Sequence, residues 1–482
     1  MRSIQLKTLN FTATYGDHLT NNIVTDVTHI IKKNINGEPF LVCNNNLGGD
    51  PIYNTKKQLV IQISEITVKC EEMEVVKFID IVSECKNKSF VPISTSRYIQ
   101  AKHNLPKISV DSRRNPTCNI IMPGYSKSLT GGPLSILRVA QSMIEHGIYV
   151  RIMSFWETCT LLTHDFAPIL PLYGLKELVD KAEWFDFQYG KPLVCSSSDV
   201  FMATLYCTAF EAEILQKQLN QKPIMYMIQD CEPFFFNHNS ESAYAYASYE
   251  VPHIPIFNCW VLRDYFRDNR LSVFSGKFNF PSFTYFPNFS PVVDKETIKK
   301  ANGQKKRLIV YSRPQTDRNA YEFVVSCLWK AVEQGLFDSD HWEIIGVGGP
   351  EGIQNVGHLG GKNVTLYNLP HLHQDDYQAI IRTGDIGFVF ILTTGHPSIP
   401  SFDFLSAGML LVTNQIYHRT EEMYKSISQN IFPARMSIPS VVEQFRLATE
   451  KVDDYDFRIK GASLNIPPHS IDFEYLQHLI KQ

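Results

Sequence analysis

From about residue 118 onward the chain repeats one pattern: a short apolar run, a polar loop, then a stretch with helical spacing. Residues 119–122, 149–154, 193–195, 224–228, 307–311, 342–347, 364–366, 387–392 and 409–413 read as buried strands, being short and rich in aliphatic, β-branched and aromatic residues. Helices are predicted over 133–146, 242–249, 260–267, 320–334, 376–382, 401–407 and 470–481, several of them closed by a glycine such as Gly147, Gly335 or Gly408. Strand, loop, helix in succession builds an open parallel sheet, which binds ligands beyond the carboxyl ends of its strands. Residues 11–15, 40–42, 58–63 and 66–70 differ: they alternate or are β-branched, with Asn/Gly/Asp turns between them and no long amphipathic helix. The expected class is α/β: two Rossmann-like domains facing a cleft, preceded by a small all-β module. The expected boundaries are 1–100 for the module, 101–117 for a connector, 118–290 and 291–465 for the two domains, and 466–482 for a terminal helix. Prolines at 287 and 291 mark the hinge.

Composition narrows the classes of function. Of the 482 residues 44% are hydrophobic and 20% charged, with a net charge of −3, which argues against a general nucleic-acid binder. No apolar run approaches the ~20 residues that span a bilayer, and the first residues lack a signal-peptide core, so a cytoplasmic protein is expected. The ten cysteines form no CxxC pair, and reduced, buried thiols account for them. Lys102, His103, Lys107, Arg113 and Arg114 cluster in the connector, either as a solvated linker or as a peripheral contact with anionic lipid or a diphosphate acceptor.

Candidate chemistry sits on the loops. Gly131 and Gly132 open a helix after a strand, where bare backbone can approach a phosphate. There is no GxGxxG, so no dinucleotide cofactor is expected. Asp230 and Glu232 follow the strand 224–228 and precede three phenylalanines; such carboxylates can hold sugar hydroxyls, and Asp230 can orient or deprotonate an acceptor hydroxyl. Arg313 and Arg318 stand five apart on a strand-to-helix loop, where cations are disfavoured unless they grip an anion. Tyr367 and Leu369 follow the strand 364–366, a position that the family resemblance given below implies is near a nucleobase. His396, Pro397 and Ser398 lie on the loop after 387–392, and Ser401 and Asp403 in the first turn of the next helix, suited to a diphosphate and a ribose. Two DxD patterns, Asp338-Ser-Asp340 and Asp454-Tyr-Asp456, are explained as solvated faces, and no metal is expected.

The run His396-Pro-Ser-Ile-Pro-Ser-Phe-Asp403, with Leu405-Ser-Ala-Gly408 and Leu411-Val-Thr-Asn414, resembles the donor-site signature of retaining glycosyltransferases with two Rossmann-like domains (the GT-B type). It is most similar to the WsaF-type rhamnosyltransferases. Asp199-Val-Phe-Met-Ala-Thr204, Gln229-Asp-Cys-Glu-Pro233 and Arg313-Pro with Arg318-Asn319 carry the same resemblance in the same order. Two departures stand out: Asp403 replaces a glutamate, and Gly395 occupies a position where the wider superfamily has another. The resemblance implies transfer of a sugar, L-rhamnose from dTDP-β-L-rhamnose, to a saccharide or lipid-linked saccharide acceptor in glycan synthesis. Retention at the anomeric carbon, no metal and no cofactor besides the donor follow from it. Arg313 and Arg318 would hold the leaving diphosphate, Ser401 and Asp403 the nucleotide, residues 396–398 the sugar, and Asp230 and Glu232 the acceptor. A catalytically degenerate glycan-binding scaffold, or an epimerase using the same donor, would keep much of this pattern.

Overall fold

The computed structural model describes residues 2–6, 11–18, 23–34, 39–51, 55–63, 66–80, 105–123, 131–155, 169–186, 191–287, 289, 291–299, 304–393 and 398–481. Two compact units divide the chain, Met1–Thr95 and Ser96–Gln482.

The first unit holds an antiparallel sheet of Ile23–Asp26, Phe11–Asp17, Gln58–Ile63 and Ile66–Glu71, in that order across the sheet. A second sheet places Val75–Asp80 between Arg2–Leu6 and Pro39–Leu41. Phe11, Ala13 and Tyr15 alternate inward to meet Leu59, Ile61, Cys70 and Val76, as a half-buried sheet requires. Among the described residues a six-residue helix, Thr28–Lys33, adds Ile31 to this core and departs from an all-β module. Its two turns are too short to show a helical period in sequence.

The second unit contains two seven-stranded sheets. The first comprises β1 (Thr117–Ile121), β2 (Tyr149–Ser154), β3 (Glu183–Asp186), β4 (Val200–Ala203), β5 (Ile224–Ile228), β6 (His253–Phe257) and β7 (Phe283–Thr284). All pairings are parallel and the order is β3-β2-β1-β4-β5-β6-β7, the doubly wound arrangement. Helices α1 (Gly131–Glu145), α2 (Tyr206–Leu219) and α3 (Trp260–Asp268) connect its strands. The second sheet comprises β8 (Lys306–Tyr311), β9 (Trp342–Val347), β10 (Gly352–Leu359), β11 (Lys362–Asn368), β12 (Ile386–Val389), β13 (Leu410–Asn414) and β14 (Ile431–Ala434). Its order is β10-β11-β9-β8-β12-β13-β14, parallel except for the edge hairpin β10–β11. Here α4 (Tyr321–Glu333) follows β8 and α5 (Ile399–Ser406) follows β12.

Three expectations need adjustment. Residues 193–195 leave the main sheet and pair with Ile108–Val110, inside the segment expected to be a connector. Val194 is exposed there, whereas all four residues of β4 are buried, so β4 is the central strand. β10 was not expected at all, because its Gly, Asn and His positions give no apolar period. The cationic surface expected of the connector is partly cancelled: Arg113 pairs with Asp111 at 3.1 Å and Arg114 pairs with Glu183. Lys102 and His103 lie outside the described residues.

The terminal helix α6 (Phe473–Lys481) returns to the first sheet's domain. Phe473, Leu476 and Ile480 join the core around α1, and His146 stacks on Phe473 with centroids 3.9 Å apart. A second core runs continuously between the domains, with Phe402 of α5 edge-on to Phe286 at 4.8 Å. Among the described residues no helix is long and apolar enough to cross a membrane.

Candidate active site

The strand order of each sheet reverses beside its first strand, so loops after β1, β4, β8 and β12 open a crevice at the carboxyl ends. The two crevices meet. Gly131 heads α1 and faces Ile399 at the head of α5, so close that a Cβ on Gly131 would stand 3.6 Å from Ile399 Cγ1. Gly132 leaves room for Gln229, whose Oε1 would lie 2.9 Å from an added Cβ. The 3₁₀ turn Glu232–Phe235 of the first domain approaches the loop after β8, and the Arg318 guanidinium lies over the Phe235 ring, 4.8 Å from its centroid. Between them is a cavity of about 430 Å³, lined by Phe234, Phe235 and Asn237 on one side and by residues 315–318 and Leu392 on the other.

Arg313 and Arg318 give this meeting point its charge. Arg313 donates from Nη1 to the Tyr311 hydroxyl at 3.2 Å, while its buried Nε has no hydrogen-bond partner among the described residues. Its route passes Gly348, which takes φ +94° and would meet the Tyr311 ring at 2.8 Å with any side chain. Burial lowers the Arg318 pKa and the nearby Asp230 opposes that shift; Arg313 adds its repulsion. Two partly buried cations close to one another, with a carboxylate near only Arg318, favour a bound anion. The first turn of α5 adds less: Ser398 makes no side-chain cap, but Pro400 has no N–H and the Ser401 N–H donates to the Ser398 carbonyl at 2.9 Å, which leaves the Ile399 N–H to face an anion. Ser398 and Ser401 are buried, with hydroxyl oxygens 3.5 Å apart.

Asp230 is 8% exposed and faces the second domain. Burial pushes its carboxyl up to about 6, against the opposing pull of the Cys231 N–H, Arg419, Arg318 and Thr393. Asp403 is partly buried, and desolvation pushes its carboxyl up to about 7. The Tyr377 hydroxyl donates to its Oδ2 at 3.2 Å, and Arg138 of α1 faces it from the first domain.

Glu232 departs from its expected place beside an acceptor. It is fully buried in the first domain, where it accepts from the Tyr206 N–H at 2.6 Å at the head of α2 and from the Tyr226 hydroxyl at 3.4 Å. Burial pushes its carboxyl up to about 8. A raised folded-state pKa makes stability greatest below the unfolded value near 4.5 and removes it as pH rises through about 8. Glu232→Gln should therefore be more stable than wild type at pH 8, by on the order of a few kcal/mol, and indistinguishable at pH 4. Urea melts at both pH values test this; equal stability at pH 8 would contradict it.

The other expected residues divide. His396 and Pro397 lie outside the described residues. Tyr367 sits within β11, 51% exposed between Ile345 and Ile353, and Leu369 packs into the core shared by the domains. The β11 residue that reaches the loop after β8 is Asn368, whose Oδ1 accepts from Ser312 Oγ at 2.6 Å above Gly346. Asp199 is internal, accepting from the Thr117 N–H and Asn119 Nδ2 at 2.8 and 3.1 Å. Asp338 binds His341 and Asp340 binds Lys362, while Asp454 caps a helix and Asp456 binds Lys295, so each DxD is used locally. Arg138, Asn368 and Arg419 were not expected; a glycine inside a strand, Gly346, was the one sequence signal for Asn368.

Residues 306–446 match the WsaF C-terminal domain and residues 175–260 match the WsaF N-terminal domain. Along these two stretches, in this order, the chain is similar to WsaF. It is thereby a member of the glycosyltransferase superfamily, and its two facing sheets are the GT-B arrangement. No curated protein matches its sequence. Among solved structures, Anabaena HepE in complex with UDP aligns at 10% identity and a TM-score of 0.47, covering 72% of this chain and 93% of that one. Sucrose-phosphate synthase from Thermosynechococcus elongatus aligns at 8% identity and 0.45, covering 76% and 95%. The UDP-forming trehalose-phosphate synthase from Burkholderia xenovorans aligns at 9% and 0.45, covering 74% and 95%. These distances transfer no substrate to the WsaF domains of this chain.

Proposed function

We propose that this protein transfers a sugar from a nucleotide diphosphate to a saccharide acceptor, bound in the cleft between its two Rossmann-like domains. The observation that carries the reading is the pair Arg313 and Arg318 at the carboxyl end of β8, opposite Asp230 of the other domain. The donor diphosphate lies against these arginines and the head of α5, where guanidinium forks and the Ile399 N–H offset the charge that grows on the leaving group. Ser401 and Asp403 hold the nucleotide, residues 396–398 border the sugar, and Gly131 and Gly132 admit the donor from the first domain. The donor sugar that the family resemblance favours is L-rhamnose carried on dTDP, transferred with retention, without a metal or further cofactor. The acceptor, a saccharide free or lipid-linked, enters over Phe234 and Phe235, and peripheral contact with a membrane would follow from a lipid-linked one.

Asp230 then orients or deprotonates the acceptor hydroxyl and must be ionised to do so. With its carboxyl near 6, the rate should fall on the acid side of about pH 6 and level off above it. Asp230→Asn should lose this acid limb and about 10²-fold in turnover while binding dTDP as wild type does. Initial rates of sugar release from dTDP-β-L-rhamnose and UDP-glucose across pH 5–8 test the assignment. An Asn variant with wild-type rates would end it.

A further inference from the structure

The chain leaving β13 turns back in a two-residue hairpin. The Ile416 N–H donates to the Arg419 carbonyl at 3.2 Å, and the Arg419 N–H to the Ile416 carbonyl at 2.9 Å. Tyr417 and His418 form the tip. Tyr417 takes φ +50°, a left-handed conformation that such a turn usually gives to glycine or asparagine. A tyrosine costs energy there, and its side chain is not spent on the core, since the residue is 53% exposed. The ring lies beside the first domain, its centroid 5.7 Å from that of Tyr265 on α3 and 5.8 Å from that of Phe234. His418 holds the tip in place, with Nε2 2.8 Å from Asp268 Oδ2 at the end of α3.

Beside this tip is a second cavity, of about 500 Å³, lined by Tyr265 and Asn269 of the first domain and by Tyr417, His418 and Thr420 of the second. Phe234 links it to the cavity lined by Arg318. Its ring forms part of that wall and packs against both Tyr265 and Tyr417, at 6.5 and 5.8 Å between centroids. The two cavities thus share one aromatic ridge.

The lining selects a class of ligand. None of its five residues is a lysine or arginine, and its histidine is paired with a carboxylate, so the wall is not built for a phosphate. Tyr417 offers an exposed ring whose electron-rich face suits the apolar C–H face of a pyranose. Asn269, Thr420 and the tyrosine hydroxyls supply donors and acceptors for sugar hydroxyls. Asn269 is already oriented, its Nδ2 donating to the Tyr265 carbonyl at 2.8 Å. An aromatic lining with a few placed polar groups is the make-up of a small-molecule site.

We propose that this second cavity is a distal saccharide subsite with Tyr417 as its stacking platform. It holds an outer sugar unit of the acceptor, whose reacting end lies over Phe234 and Phe235. The acceptor is therefore an oligosaccharide rather than a single sugar. This rests on the transferase reading above.

Saturation-transfer NMR of the full chain, without donor, tests it with maltotriose, cellotriose, mannotriose and rhamnotriose against glucose, mannose and rhamnose. The wild type should bind at least one trisaccharide about tenfold more tightly than the matching monosaccharide. Tyr417→Gly removes the ring and suits the left-handed turn, so it should fold and should erase most of that preference. Tyr417→Phe should keep it, because stacking needs the ring and not the hydroxyl. Asn269→Ala, at an exposed position, should weaken the trisaccharide about threefold. A preference that survives in Tyr417→Gly would overturn the proposal, as would a wild type that binds mono- and trisaccharides alike or binds none at millimolar concentration. Self-association of the wild type that Tyr417→Gly abolishes would overturn it too, by assigning the exposed ring to a second copy of the chain. The transferase reading fails separately: if no nucleotide sugar binds while the trisaccharide preference depends on Tyr417, the chain is a glycan-binding protein that uses this subsite.

Discussion

Arg313→Ala should weaken binding of dTDP and UDP by about 10²-fold, the cost of losing charge-assisted hydrogen bonds of ~1.5–3 kcal/mol in a partly desolvated site. Arg313 donates from Nη1 to a tyrosine hydroxyl, and its buried Nε has no partner among the described residues. An anion would supply the missing acceptor. Arg313→Lys should fall between the two, because an ammonium supplies the charge but not the fork. Arg318 stacks on Phe235 and stands nearer Asp230, so Arg318→Ala should weaken nucleotide binding and also raise Asp230. Calorimetric titration with dTDP and UDP reads both effects. Unchanged affinity in Arg313→Ala would show that the diphosphate lies elsewhere.

The largest structural effect is expected from Arg458→Ala. Arg458 and Asp385 are each 1% exposed at the side chain and lie 3.0 Å apart. Arg458 also donates to the carbonyls of Gly408, Val452 and Gly384, and Asp385 Oδ2 accepts the Arg307 N–H at 2.8 Å. This one pair ties the starts of β8 and β12 to the C-terminal helices, at the opposite ends of the strands from the arginines and the head of α5. Removing one partner strands a buried carboxylate, which costs ~3–5 kcal/mol. Arg458→Ala should therefore lower the urea midpoint markedly and weaken dTDP binding along with it. The double change Arg458→Met/Asp385→Asn should restore much of the stability, because the charge left behind is gone. A single Ala variant with a wild-type midpoint would contradict this account.

The legibility of the fold followed from burial. Strands buried on both faces, such as β5 and β13, are continuous apolar runs, and their bounds in sequence and structure nearly coincide. β10 failed to show because a hairpin edge facing solvent needs no apolar period, and β4 was obscured by its neighbour at 193–195. The site was legible where chemistry conflicted with local structure, as with cations on a loop entering a helix. It was illegible where orientation decided the role. Asp230 and Glu232 stand two residues apart, yet the turn after β5 sends one into the cleft and the other to the head of α2. Arg419 had no signal either, since its partners are backbone carbonyls far away along the chain.

The central claim is that the cleft binds a nucleotide sugar and breaks its sugar–phosphate bond. Ligand-observed NMR of the purified protein with dTDP-β-L-rhamnose, UDP-glucose and other nucleotide sugars, followed over hours, tests it directly. The account predicts saturation transfer to the nucleotide of one donor, slow appearance of free sugar, and loss of both in Arg313→Ala. Absence of binding by every donor at millimolar concentration would contradict it, and would leave a glycan-binding scaffold on a transferase fold as the reading of this chain.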